Sequence, residues 1–117
     1  MEAIEVRLPV RLLKALGDET RLRIVALLSH GELCVCHIEA ALGLQQAAAS
    51  RQLAVLRNAG VVAPRRDGNW IYYRLADQAD ALCRTQLALL KRSFSKGVTL
   101  KADVARLLKS KGPGACR

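Results

Sequence analysis

Aromatic residues are scarce in this sequence of 117 residues: one Trp, two Tyr and one Phe make up 3% of a chain that is 51% hydrophobic. Its core must therefore be built from Leu, Val, Ile and Ala, which is typical of helical domains. Long apolar runs are also missing, because no stretch approaches the roughly 18 residues of a membrane span. The start MEAIEVRLPV lacks the basic and then apolar order of a signal peptide. We therefore expect a cytoplasmic protein with no membrane partner.

Acidic residues are outnumbered by basic ones. Ten Asp and Glu stand against nineteen Lys and Arg, which gives a net charge of +9. Such an excess favours a polyanionic partner such as DNA, although a solvated basic surface gives the same count. In a reducing compartment, cysteines are better interpreted as thiols or metal ligands than as a disulfide framework. The four cysteines are Cys34, Cys36, Cys83 and Cys116.

Hydrophobic spacing predicts a mainly helical chain. Apolar residues recur at helical intervals in five segments, several of which are followed closely by glycine. These segments are Leu8–Leu16, Glu19–Ser29, Val35–Leu42, Gln45–Asn58 and Asp77–Phe94. Two strands, Val61–Pro64 and Trp70–Leu75, are predicted around the Asp67-Gly68 pair, because Asp-Gly favours a hairpin turn.

This order of elements predicts a winged helix-turn-helix: mainly α with a small β-hairpin. In such a fold the helix after the turn enters the major groove of DNA. The apolar stripe of the Asp77–Phe94 helix is longer than a lone small domain can cover, which predicts a homodimer through that helix. We assign residues 1–97 to one DNA-binding and dimerisation domain, and residues 98–117 to a short helix and a flexible C-terminal tail.

Four motifs between residues 15 and 75 carry a more specific signal. They are LGDETRLRI, ELCVC, SRQLAVLRNAGVV and RRDGNWIYYRL. Together they resemble the ArsR/SmtB family of metal- and metalloid-responsive repressors. The resemblance implies a homodimer that binds double-stranded operator DNA upstream of its own resistance genes and leaves the DNA when the inducer binds.

Candidate DNA contacts lie on the fourth predicted helix and on the hairpin. Arg51 can pair with guanine in the major groove, and the Ser50 hydroxyl can reach a base or a phosphate. Arg65 and Arg66 on the wing would reach phosphates or the minor groove, or would be solvated charges at a hairpin tip. The full set predicted to contact DNA is Gln46, Ala47, Ser50, Arg51, Gln52, Arg65, Arg66 and Asn69.

Cys34 and Cys36 form the candidate inducer site. Two soft thiolates that lie close together can share a thiophilic ion or metalloid. Residues two apart in a regular helix point about 200° apart, so convergence of the sulfurs requires a distorted helix start. Within ELCVC the pair resembles the inducer site of the arsenite repressors, which implies arsenite, As(III), as the inducer and Sb(III) as a second candidate.

The sequence departs from the family's pattern in two places. Gln45, Ala47 and Gln52 stand where Ser, Pro and His are usual, and the loss of Ser removes a good helix N-cap. Glu39 stands where the arsenite pattern has a third cysteine, and a hard carboxylate is a poor ligand for a soft centre. A third ligand would then come from Cys116 on the tail or from a small-molecule thiol.

Two alternatives to an arsenite repressor are a repressor that senses a different signal and a thiol enzyme. The same scaffold could sense cadmium, lead or zinc, or thiol oxidation. However, the cadmium branch uses cysteines of an N-terminal arm, which residues 1–33 lack, and no histidine follows His37 to build the family's other common metal site.

Cys83 is expected to be a buried apolar residue. A thiol enzyme would need a CxxC or nucleophile loop on an α/β scaffold. Neither is present, so we do not expect an enzyme.

Overall fold

The computed structural model describes residues 4–110, which contain six helices and three short strands. The helices are α1 (Ile4–Leu16), α2 (Glu19–Leu28), α3 (Val35–Leu42), α4 (Gln46–Asn58), α5 (Ala81–Ser93) and α6 (Val98–Ser110). The strands are β1 (Leu33–Cys34), β2 (Val62–Asp67) and β3 (Trp70–Leu75), and a 3-10 turn (Phe94–Lys96) joins α5 to α6. This order confirms the predicted winged helix-turn-helix.

The wing is an antiparallel hairpin, to which the structure adds a third strand that the sequence did not predict. β2 runs to Asp67, which pairs with Trp70, so the turn contains only two residues. Gly68 is the first residue of this turn and has a φ of +61°, a conformation that glycine adopts without strain. β1 lies on the other side of β3, where Cys34 pairs with Tyr72. The first cysteine is therefore tied to the wing by the backbone.

The helix-turn-helix consists of α3 and α4, which are joined by a short turn. Gly43 ends α3 in the left-handed region, with φ +65°. α4 then buries Ala49, Leu53 and Leu56 against the core. The apolar pattern of this segment predicts Val55 on the same buried face as Ala49, Leu53 and Leu56, and this prediction is wrong because the Val55 side chain is 40% exposed. It lies about 200° around the helix from Leu53.

α5 begins at Ala81 and not at Asp77 as predicted, because the Asp80 carboxylate caps the helix by accepting a hydrogen bond from the Cys83 amide at 3.0 Å. Exposed apolar side chains recur along one side of α1 and of α5, two helices that contact each other. They are Val6, Val10 and Leu13 on α1 and Leu82 and Leu89 on α5. None of the helices between residues 4 and 110 combines the length and apolarity that a membrane span requires.

α6 packs against α2 and α3, where a buried carboxylate joins the three helices. Asp103 is fully buried and accepts two hydrogen bonds from Arg23 of α2, at 2.7 and 2.8 Å. Arg106 also pairs with Asp103 and donates to the Ala41 carbonyl of α3 at 2.7 Å. The hydrogen bond that Arg23 donates to Asp103 raises the pKa of Arg23 above its ordinary value. The division at residue 97 stays a prediction, and the proposed tail beyond residue 110 lies outside the described residues.

Candidate DNA-binding surface and thiol site

The outer side of α4 carries polar and small side chains because its inner side is in the core. Gln46, Ala47, Ser50 and Arg51 lie toward this outer side, which is the orientation that the sequence predicts. Gln45, at the N-cap, forms no side-chain hydrogen bond with the helix, as the loss of the usual Ser predicts. Without that cap, the first amide groups of α4 are available to an acceptor such as a phosphate oxygen.

Gln52 differs from the other candidates on α4. Its side chain is half-buried, and its Oε1 atom accepts a hydrogen bond of 2.9 Å from Arg21 of α2. The guanidinium of Arg21 also donates to the carbonyls of Lys14 and Ala15, at the end of α1. Gln52 therefore connects α4 to two other helices, and only its amide nitrogen is left to meet DNA. Its contact with DNA stays a prediction.

The wing presents its cations in two different ways. Arg66 and Asn69 are exposed near the tip of the hairpin. Arg65 donates to both carboxylate oxygens of Glu32, with a closest distance of 2.6 Å, and lies 4.7 Å above the ring of Tyr72. The hydrogen bond from Arg65 lowers the pKa of Glu32 below its ordinary value. On the wing, Arg65 is thus held in place by Glu32 and Tyr72, whereas Arg66 is exposed to solvent.

The two sulfur atoms of Cys34 and Cys36 lie 3.1 Å apart. The sequence predicts this convergence only if the start of the helix is distorted, and the backbone explains how it arises. Cys34 is the N-cap of α3, with extended angles of φ −68° and ψ 145°, and it also belongs to β1. Since Cys34 lies outside the helical repeat, the 200° separation does not apply. Cys34 is buried and Cys36 is half-buried.

A cavity of about 390 Å³ connects the sulfur pair with the candidate DNA contacts. Its wall includes residues of α3, α4 and the wing, which the sequence predicts as separate sites. They are Cys34, Val35, Cys36, Glu39, Gln46, Ser50, Leu53, Asn69, Trp70, Ile71 and Tyr73. An occupant of this cavity would touch the thiol site and the outer side of α4 at once.

The other cysteines have different positions. Cys83 is buried on α5, and burial raises the pKa of its thiol, which disfavours the reactive thiolate. Cys116 lies outside the described residues. Within residues 4–110, no group of three or more His, Cys, Asp and Glu side chains is arranged to hold a metal ion. Within the described residues, the sulfur-bearing side chains that line the cavity are those of Cys34 and Cys36.

Sequence reasoning missed the part of the cavity wall that β3 supplies. Trp70, Ile71 and Tyr73 were predicted only as strand residues, yet all three line the cavity. Strand alternation places Ile71 and Tyr73 on the same face of the sheet, which is a signal that the sequence contains. The pairing of β1 with β3, which brings that face to the cysteines, leaves no comparable signal because β1 has only two residues.

Comparison with known proteins connects this arrangement to a family. The model of bacterial regulatory proteins of the arsR family matches residues 18–63. The arsenical resistance operon repressor of Escherichia coli strain K12 is 51% identical over 75 residues, which cover 63% of this chain and 64% of that protein. The match thus spans less than two thirds of the length of that repressor.

A second relative and a solved structure extend over more of the chain. An arsenic resistance transcriptional regulator of Pseudomonas putida is 40% identical over 103 residues, 87% of each chain. A homodimeric winged helix-turn-helix DNA-binding domain from Mycobacterium bovis has a TM-score of 0.63 and 34% identity, and covers 74% of this chain and 78% of that one. These proteins are regulators, which agrees with the prediction of a regulator and not an enzyme. The chain belongs to the arsR family of bacterial regulatory proteins.

Proposed function

We propose that this protein is a transcriptional repressor of an arsenic-resistance operon, which leaves its operator DNA when trivalent arsenic binds Cys34 and Cys36. One observation carries the proposal. The sulfur pair shares a single cavity with Gln46 and Ser50 of α4 and with Asn69 of the wing, all of them candidate DNA contacts. A ligand bound by the sulfurs would therefore act directly on the surface that meets DNA.

The DNA-binding half of the proposal rests on α4 and the wing. Arg51, exposed on α4, would read a guanine, while Ser50 and Gln46 would contact bases or phosphates. Arg66 and Asn69 would lie against phosphates or in the minor groove. Ala47 lies on the same outer side as these α4 residues. Arg65 would join them by exchanging its Glu32 partner for a phosphate, and Gln52 would contribute its amide nitrogen.

A dimer would place two copies of α4 in successive major grooves. Such pairs read half-sites about one helical turn, roughly 34–36 Å, apart. The exposed apolar residues of α5, Leu82 and Leu89, support the predicted interface through the Asp77–Phe94 region, and those of α1 enlarge it. Pairing of these surfaces in two copies would remove both from water.

The inducer half of the proposal rests on the sulfur separation. If the inducer lies about 2.3 Å from each sulfur, as zinc does, a separation of 3.1 Å gives an S–inducer–S angle of about 85°. That angle is narrower than the tetrahedral angle of zinc and nearer to the pyramidal geometry of trivalent arsenic or antimony. Cys116, outside the described residues, or a small-molecule thiol remains the proposed source of a third sulfur.

Release would follow from the position of Cys34 and Cys36 at the start of α3. Binding of one atom by both sulfurs, which already lie 3.1 Å apart, would shift this end of the helix against α4 and β3, which border the same cavity. The two copies of α4 would then no longer match their half-sites. Linkage requires the converse as well: operator DNA must weaken inducer binding by the same factor.

The test is a fluorescence-anisotropy titration on DNA from upstream of the gene. We expect the wild type to bind and to release the DNA with arsenite, while Cys34→Ser and Cys36→Ser bind equally well and fail to release it. Cys83→Ser is the matched control, since it also removes one buried thiol but lies on α5, and it should respond normally. If both site variants still release the DNA with arsenite, the proposed site is wrong.

Further additions to the same titration separate the alternative signals. Antimonite, cadmium, lead, zinc and a mild thiol oxidant are added in turn to the wild-type complex. Release by arsenite and antimonite alone supports the proposal. Release by cadmium, lead or zinc at lower concentrations than arsenite, or by the oxidant alone, would replace the metalloid signal with a metal or redox signal on the same scaffold.

A further inference from the structure

The first helix, α1, has three sides of different chemistry. One side is buried in the core, and another is the exposed apolar side formed by Val6, Val10 and Leu13. Each of these three apolar residues is followed directly by an exposed basic one, and the basic residues are Arg7, Arg11 and Lys14. Because one step along an α-helix is a rotation of about 100°, the three cations form a stripe of their own next to the apolar side. We call them the basic stripe.

The basic stripe borders a cleft between α1 and the C-terminal part of α4. The cleft has a volume of about 520 Å³, and its lining residues are Arg11, Lys14, Ala15, Arg21, Val55, Asn58 and Ala59. Among these described residues three are cations and none is acidic. Within residues 4–110, neither Arg11 nor Lys14 forms an ion pair with a carboxylate. The charge of the cleft is therefore available to an anion from outside the chain.

Arg21 adds a fixed positive charge to the same cleft. Its guanidinium donates to the carbonyl oxygens of Lys14 and Ala15 and to Oε1 of Gln52, at distances from 2.6 to 3.3 Å. These three acceptors carry no formal charge, so they orient the guanidinium without neutralising it. A cation that is held in this way keeps its field directed at the cleft.

The wall of the cleft on α4 continues the side of the helix that carries Arg51. Val55 and Asn58 follow Arg51 by four and seven residues, which places them one and two turns further along the same side. The exposure of Val55, which the apolar pattern does not predict, is explained because this side chain lines the cleft. The cleft therefore begins next to the predicted base contact of Arg51.

We propose that Arg11 and Lys14 of α1 bind phosphates of the operator DNA between its two half-sites. The inference rests on the proposed function, which places α4 in the major groove and pairs two copies through α1 and α5. In that dimer the apolar side of α1 lies at the twofold axis. The basic stripe lies between this axis and α4, so it faces the DNA that joins the half-sites. Lys and Arg neutralise phosphates there without reading the base sequence.

The salt dependence of DNA binding counts such phosphate contacts. Arg11→Gln combined with Lys14→Gln removes two exposed charges per subunit and keeps good helix-forming residues. The full-length protein is titrated by fluorescence anisotropy on DNA from upstream of the gene. We expect the slope of log K against log salt to become shallower by about 3 to 4 for the dimer, and the affinity at 0.1 M salt to fall at least about tenfold.

The matched control removes two cations from another part of the molecule. Lys101→Gln combined with Lys109→Gln lowers the net charge by the same amount, and both residues are exposed on α6, outside the cleft. This control should keep the slope and the affinity of the wild type. Both double variants should still release the DNA with arsenite, because neither removes a thiol.

Ethylation interference locates the phosphates. Ethylnitrosourea converts DNA phosphates into uncharged triesters, and an ethylated phosphate that the protein needs is depleted from the bound DNA. The wild type should show depleted positions beside each half-site and also between the half-sites. The Arg11→Gln, Lys14→Gln variant should lose only the positions between the half-sites, whereas Arg66→Ala should keep these and lose positions beside the wing.

The outcomes separate this inference from the proposed function. If the wild type binds the upstream DNA and leaves it with arsenite, but the α1 variant keeps the wild-type slope and the depleted positions between the half-sites, the proposed function stands and the inference is overturned. An equal loss of slope in the α6 control also overturns the inference, because net charge alone would then explain the effect. If the wild type does not bind this DNA, the proposed function and the inference both fail.

Discussion

The two ends of α3 are built in opposite ways. At its C-terminal end, Gly43 closes the helix and the Ala41 carbonyl accepts a hydrogen bond from Arg106, which is paired with the buried Asp103. At its N-terminal end, Cys34 caps the helix without a side-chain hydrogen bond, and the sulfurs border a cavity. The C-terminal end, called here the held end, is fixed by an ion-paired network, while the N-terminal end, called the open end, pairs with β3 through Cys34 and borders the cavity.

From this difference we expect the two ends of this eight-residue helix to have different roles. The C-terminal end should contribute to the stability of the protein, and the N-terminal end should respond to the inducer. We expect a displacement that begins at the sulfurs to act on the N-terminal end of the helix, while the attachment to α6 keeps the C-terminal end in place. We therefore expect inducer binding to tilt the helix toward α4 rather than to slide it along its axis. Substitutions at the held end should alter the free energy of unfolding, whereas substitutions at the open end should alter DNA or inducer binding.

The largest effect is expected at the held end. Asp103→Ala removes the carboxylate that pairs with Arg23 and Arg106, and should lower the free energy of unfolding by about 2–3 kcal/mol. This loss of stability is smaller than the loss from breaking a fully buried ion pair, because the guanidinium groups of Arg23 and Arg106 both reach solvent. Urea denaturation measures it, with Asp77→Ala, on the loop that follows β3, as the control. A loss below about 0.5 kcal/mol, no more than a surface substitution gives, would mean that α6 does not hold α3.

The next largest effect is expected for DNA binding by the exposed side of α4. Arg51→Ala should weaken operator binding by about 1–3 kcal/mol if Arg51 reads a base, and should leave the unfolding free energy unchanged because the side chain is exposed. Arg66→Ala is the matched comparison: loss of a phosphate contact should weaken binding to all sequences and lower the salt dependence by about one charge per half-site. Anisotropy titrations at several salt concentrations distinguish the two, and equal behaviour on all DNA would contradict base reading by Arg51.

A smaller effect on stability is expected at Gly43, which ends α3 in the turn before α4. Gly43→Ala should destabilise the protein by about 1 kcal/mol, because alanine resists the left-handed conformation. An added Cβ would meet no atom within 4 Å, so the cost is one of backbone conformation alone. Gly97→Ala, where φ is −85°, should be neutral or slightly stabilising in the same denaturation experiment. Equal stability of the two variants would contradict a conformational cost at Gly43.

The helices could be predicted from the sequence because each has an apolar face that repeats at helical intervals. The same reasoning failed for β1, since two residues contain no period, and that strand determines where Cys34 lies. The convergence of the sulfurs was therefore unresolved at the level of sequence: helix geometry argued against it, and only the pairing of Cys34 with Tyr72 removes the objection.

Asp103 was also missed, although the sequence contains a signal for it. It is the only acidic residue after Asp80, and it lies in register with the apolar positions Leu100, Val104 and Leu107. An acid on the apolar face of a basic segment predicts a buried ion pair, because an unpaired charge is rarely buried. The identity of its partners depends on how α6 packs, which no local pattern specifies.

The contacts of Arg21 bear on the spacing between operator half-sites that this protein can bind. Its guanidinium joins the last carbonyls of α1, beside the exposed apolar side of that helix, to Gln52 of α4. In a dimer paired through α1 and α5, we expect these contacts to help fix the distance between the two copies of α4. An extra base pair between half-sites moves one of them by about 3.4 Å and turns it by about 35°. Such an operator would be out of phase with the dimer, so we expect the contacts of Arg21 to restrict the protein to one half-site spacing.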